Sequence, residues 1–226
     1  MFYYDSTILL LIPALLLSFY AQSKVMRTYG KYLRYENSKN LTGMEVARRI
    51  LDSNNLYNVE IVETPGELSD HYDPRTKKVN LSPAVYRGNS ISSMSIAAHE
   101  VGHAIQDSVG YYPLKFRSTL APVASLSSHV VWILIMLGFM LQIMSLINIG
   151  IILFSIVVLF QIITLPVEFN ASKRALDNLK TGFVSEYEIS GSREVLKAAA
   201  LTYVAAALTG IMQLLRFILL SKRNRD

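Results

Sequence analysis

His99-Glu100-Val101-Gly102-His103 sets two imidazoles four positions apart, with a carboxylate next to the first. On an α-helix such residues share one face, a spacing that lets both rings ligate one zinc ion. Glu100 then stands where its carboxylate can take a proton from a metal-bound water attacking a carbonyl, and deliver it to the leaving amine. Zinc lowers the pKa of such a water to roughly 7, so a nucleophile exists at neutral pH. The competing reading is a chance string on a solvated helix face. Shuffling a chain with 4 His would produce the pattern only roughly 0.003 times per sequence, which favours the metal. The chain has no cysteine, so any metal must rest on His and carboxylates.

A catalytic zinc takes three protein ligands and keeps one position open. His71 lies in a β-like stretch and His129 inside an apolar run, so Glu168 is the better third ligand. It follows the apolar run Ser118 to Val167, and the other end of that run, Lys115 to Arg117, comes just after the histidine-bearing segment. A hairpin through the run therefore returns Glu168 to the histidines, 65 positions beyond His103. A salt bridge to Lys173, Arg174 or Lys197 is the competing role for Glu168. His71 and Tyr203 are lesser catalytic candidates, each able to stabilise an oxyanion at the scissile carbonyl or to make an ordinary structural hydrogen bond.

The elements that must position these groups are legible in the same way. Ser90 or Ser92 can cap a helix whose Ile91, Met94, Ala98, Val101 and Ile105 recur at helical spacing up to Gly110. Ahead of it, Thr42 and Glu45 form a capping box for a helix with Val46, Ile50 and Leu51 on its apolar face, ending near Asn54 and Asn55. Val59 to Val62 reads as a short strand and Pro65-Gly66 as a turn. Asp70 to Leu81 reads as a hairpin with one exposed strand, whose edge could receive a substrate strand. The third apolar helix is expected to run past Pro166 to about Leu179, and Ser185 with Glu188 makes a second capping box.

Mean hydropathy is +0.31 and 51% of residues are hydrophobic, more than one soluble core of this length needs. Ser118 to Val167 carries no Asp, Glu, Lys or Arg, and at about 20 residues per crossing it reads as two spans, with a turn expected near Ser145 to Gly150. Phe2 to Ala21 and Ala198 to Leu220 are further spans. The fold class is thus a mainly α membrane protein of about four transmembrane helices with a small zincin-like α+β domain. Its expected divisions are 1–21, a transmembrane helix; 22–117, the domain carrying the motif; 118–167, the transmembrane hairpin; 168–197, a helical segment with the third ligand; 198–220, a transmembrane helix; and 221–226, a basic tail. Lys24, Arg27, Lys31 and Arg34 after the first span, Lys115 and Arg117 before the second, and Lys173 and Arg174 after the third place this domain in the cytoplasm. The tail Lys222, Arg223 and Arg225 runs against that rule, unless the last apolar segment does not cross fully. The pI of 9.3 points to anionic headgroups; without aromatic interleaving, nucleic acid is excluded. His129 and Arg216 are polar groups at membrane depth, with bonding across helices and snorkelling as their ordinary roles.

Four stretches carry a family resemblance: Ser69-Asp70-His71-Tyr72-Asp73-Pro74-Arg75, Ala98 to Ala104 around the motif, Leu165 to Ser172, and Ala199 to Ala206. Over nearly its whole length the chain resembles the YugP-type bacterial membrane zinc peptidases and, more distantly, the HtpX-like membrane proteases. The resemblance implies Zn2+ held by His99, His103 and Glu168, hydrolysis of polypeptide substrates, and a multi-pass protein of the bacterial plasma membrane with its site facing the cytoplasm. In HtpX-like enzymes an Asp four positions after the ligating Glu supports a zinc histidine; here Ser172 stands there, a weaker, neutral partner. The lipid bilayer is the expected neighbour, while a membrane-protein partner or homo-oligomer is left open. A scaffold carrying a structural zinc is the alternative function.

Overall fold

The computed structural model describes residues 6–181 and 184–223; Met1 to Asp5 of the first span and Arg225 of the basic tail lie outside the described residues. A 3-10 turn, Ser6–Leu11, leads into α1 (Ile12–Tyr32), and α2 (Gly43–Ser53) follows. Thr42 starts α2 as its type and spacing require: its hydroxyl accepts the Glu45 N–H at 3.2 Å and Glu45 accepts the Thr42 N–H at 2.8 Å, satisfying two donors the helix cannot. Asn54 caps the end, and Asn55 turns the chain away with φ 59°.

β1 (Glu60–Glu63), β2 (His71–Asp73) and β3 (Lys78–Leu81) form one sheet in the order β1-β3-β2. The expected hairpin is present as the antiparallel β2-β3 pair. Its first strand lies at the edge, because β1 pairs in parallel with the other side of β3. Asp73 builds the turn, accepting from Arg75 N–H at 2.9 Å and from the Thr76 hydroxyl at 2.8 Å. After the short α3 (Pro83–Tyr86) comes α4 (Ile91–Ser108). Ser90 caps it, accepting the Ser93 N–H at 3.0 Å. Ser92 is instead buried and donates to the Tyr29 carbonyl. Gly110, at φ 66°, closes the helix in a conformation that suits glycine.

Three long helices complete the chain: α5 (Tyr112–Met140), α6 (Met144–Lys180) and α7 (Glu186–Arg223). The α5–α6 turn falls at 141–143, not at Ser145 to Gly150. Gln142 supplies the left-handed residue at φ 58°, while Asn148 and Gly150 are helical. Gly150 serves packing instead, since a Cβ there would meet Ile135 Cγ1 at 2.5 Å. α6 runs unbroken through Pro166, and α7 starts with the expected reciprocal pair, Ser185 N–H to Glu188 at 2.6 Å and Glu188 N–H to the Ser185 hydroxyl at 3.4 Å.

The chain divides into two compact units. One comprises residues 22–115 and 166–201. Its core joins Val46, Ile50 and Leu51 of α2, Val79 and Leu81 of β3, Met94, Ala98 and Val101 of α4, and Ala175 and Leu179 of α6. Burying each of the larger side chains contributes about 1.5–3 kcal/mol. The other unit comprises residues 1–21, 116–165 and 202–226. Its small core is Val131, Ile135, Phe154, Val158 and Phe217, while Leu16, Phe19, Leu126, Met136 and Ile152 of the same unit are exposed. Among the described residues, four helices are long and apolar enough to cross a membrane. Among the described residues His129 makes its hydrogen bond within its own helix, with Nδ1 2.7 Å from the Ser125 carbonyl oxygen.

Candidate metal centre

The motif helix carries His99, Glu100 and His103 on α4, a buried element lined with Ser, Ala and Gly. Small residues let another helix come close. A Cβ on Gly102 would sit 2.6 Å from the Ala171 carbonyl oxygen, so α4 and the Pro166-to-Leu179 part of α6 touch backbone to side-chain-free backbone. One turn before Ala171, this contact sets Glu168 opposite both histidines.

Glu168 is 1% exposed, and its Oε2 lies 3.2 Å from His99 Nε2 and 3.6 Å from His103 Nε2. One ligand atom from each residue falls within 4.8 Å of the others, and among the described residues this group has three members. Tetrahedral zinc with bonds of about 2.0–2.1 Å separates its ligands by roughly 3.3 Å, so the spacing and donor types fit zinc. The two Nδ1 atoms face away from Glu168 onto neutral partners. His99 Nδ1 lies 3.3 Å from the Ser172 hydroxyl, the pairing expected from sequence, and His103 Nδ1 lies 3.0 Å from Gln106 Oε1.

Glu100 is buried, and its charge is felt by His103 on one side and Asp70 on the other. Burial works against a proton on His103, but the hydrogen bond to Glu168 and the charge of Glu100 outweigh it and raise the imidazole pKa. That carboxylate field is what a bound cation would replace the proton in. Burial, reinforced by Glu100, raises the Asp70 pKa against the pull of its hydrogen bonds from the Ser82 N–H and hydroxyl.

His71 is exposed at the start of β2 and its Nδ1 lies 2.8 Å from the Ser69 carbonyl oxygen, a backbone partner and not a place in the three-ligand group. Tyr203 is half-buried in α7, in the other unit. Sequence alone does not single out Gln106 and Asn170. A glutamine three positions after a histidine has no signature of its own, although its place on the same helical face was available as a hint.

The family described as "Putative neutral zinc metallopeptidase" matches residues 7–222. A curated relative, "Putative membrane protease YugP" of Bacillus subtilis (strain 168), is 50% identical over 220 residues, covering 97% of this chain and 98% of its own. No solved structure matches the chain. Two imidazoles and a carboxylate gathered on a scaffold of apolar helices are the parts a membrane-bound zinc hydrolase needs. The chain belongs to the YugP-type family of zinc metallopeptidases.

Proposed function

We propose that the protein is a membrane-embedded zinc endopeptidase that cleaves membrane or membrane-adjacent polypeptides at the cytoplasmic surface. The convergence of His99, His103 and Glu168 carries this reading. These three would hold the metal, which when bound supplies a Lewis acid and a water of pKa roughly 7. Glu100, next to His99 on the motif helix, takes the proton from the attacking water and returns it to the leaving nitrogen. α4 lies against a three-stranded sheet with β2 at an edge, which supports reading this part as a zincin-like domain in which an extended peptide can add as a strand. His71 at the head of that strand and Tyr203 are the candidate donors to the oxyanion. Basic residues beside the apolar helices support the cytoplasmic orientation.

A scaffold with structural zinc is the second reading. Structural sites usually fill all four positions with protein ligands; the three-membered group among the described residues favours catalysis. The test is metal analysis of wild type, Glu100→Gln and Glu168→Ala, paired with cleavage of candidate membrane substrates. Glu100→Gln should keep zinc and lose at least about 100-fold in rate. Cleavage at the wild-type rate would remove Glu100 from the chemistry, and full zinc occupancy in Glu168→Ala would assign the third ligand elsewhere.

A further inference from the structure

Gln106 is fully buried, and every polar atom of its carboxamide is engaged. Oε1 faces His103 Nδ1 at 3.0 Å, while Nε2 donates to the Val167 carbonyl at 2.7 Å and to Asn170 Oδ1 at 3.0 Å. Asn170 cannot turn its amide nitrogen toward Gln106, because its Oδ1 also accepts Arg174 Nε–H at 2.8 Å. The two acceptors beside Nε2 therefore fix which end of the Gln106 amide is oxygen. An oxygen at His103 Nδ1 demands a proton on that nitrogen, so in the neutral ring that a metal would bind, Nε2, the atom facing Glu168, carries the lone pair.

We propose that Gln106 is a positioning residue for the metal site: held by Val167 and Asn170, it locks His103 in the Nδ1-protonated tautomer and so sets the affinity for zinc. The inference rests on the zinc reading above and adds a residue outside the ligand set. The chain of bonds runs from the Arg174 guanidinium through two neutral amides to the imidazole, whereas zinc histidines are commonly backed by a carboxylate. No negative charge reaches His103 along this route. The contribution of Gln106 is orientation, which a neutral acceptor supplies.

Two variants separate that contact from the fold. Gln106→Met and Gln106→Glu both lose the amide donor bonds to Val167 and Asn170, but only Gln106→Glu keeps an acceptor for Nδ1. Zinc affinity is measured by competition with a chelator on the detergent-solubilised full chain, and thermal unfolding is measured on the zinc-free form. Gln106→Met should bind zinc about 10–100-fold more weakly, and Gln106→Glu should recover most of that loss. Equal weakening in both, or affinity within about twofold of wild type in Gln106→Met, overturns the proposal. Should Gln106→Met not fold without zinc, Asn170→Leu decides: it removes one of the two acceptors that orient the amide while leaving Gln106 and the Val167 carbonyl in place. Weaker zinc binding at unchanged thermal stability supports the assignment, and unchanged binding overturns it. Wild type that takes up no zinc, or His99→Ala that binds as wild type does, would instead strike the zinc reading itself.

Discussion

The site depends on one residue having no side chain. With Ala171 carbonyl oxygen 2.6 Å from where a Cβ would stand, Gly102→Ala must push α4 and α6 apart. Overpacking of this kind costs about 1–3 kcal/mol. Because Glu168 sits one turn before Ala171, the same displacement moves a carboxylate that is now 3.2 Å from His99. Gly102→Ala should therefore lower the thermal midpoint and, at temperatures where the protein stays folded, weaken zinc binding. Wild-type affinity in a destabilised Gly102→Ala protein would show that the two helices are not held in register at this point. Spacing alone exposed His99, Glu100 and His103, because four residues are about one helical turn. Glu168 was legible only through the apolar run that precedes it. Gln106 and Asn170 were not legible, since amides bonding across helices leave no periodic trace.

Elements were readable where local chemistry decides them and misread where packing does. The Thr42–Glu45 and Ser185–Glu188 boxes and the Ser90 cap are side chains bonding a few residues away, and each starts its helix as its spacing requires. The turn between α5 and α6 was misplaced because Asn148 and Gly150 look like turn residues, yet Gly150 is there to admit Ile135. The positive φ fell to Gln142, which carries no such signal. The parallel β1–β3 pairing needs a crossover that four-residue strands do not announce. The capping box also predicts a pH dependence. Hydrogen bonds from the Thr42 N–H and hydroxyl hold Glu45 below its ordinary 4.5. A carboxylate with a lower pKa in the folded chain than in the unfolded one adds stability that is fully present above 4.5 and lost as pH falls through the lower folded value. Glu45→Gln should flatten the acid limb of a stability-versus-pH curve over that window and leave it parallel to wild type at neutral pH. Thr42→Ala should cost about 0.5–2 kcal/mol at neutral pH.

At the scale of the molecule, the four helices among the described residues that are able to cross a membrane and a sequence without cysteine allow a clean test of orientation. Single cysteines can be placed on a background with no competing thiol. With the basic flanks inside, Ser69→Cys should react with a membrane-impermeant maleimide only after cells are permeabilised, whereas Gln142→Cys, in the α5–α6 turn, should react in intact cells. The opposite pattern would invert the molecule and put the zinc chemistry outside. Chelation supplies a second whole-molecule prediction. A metal that binds only the folded chain stabilises it by about 2.7 kcal/mol at a hundredfold excess over Kd, so removing zinc should lower the unfolding temperature of wild type and leave that of His99→Ala nearly unchanged.

Glu168 lies 69 positions after His99, and that interval has a consequence for the timing of synthesis. A ribosome that has released both imidazoles has not yet translated the carboxylate; two apolar helices must first be made. During that period the nascent polypeptide would offer a metal two of the three proposed ligands, and α4 lacks the Glu168-bearing part of α6. On the proposed reading, hydrolytic competence would arrive late, after the central hairpin is made, and a product terminated upstream of codon 168 would lack the third ligand.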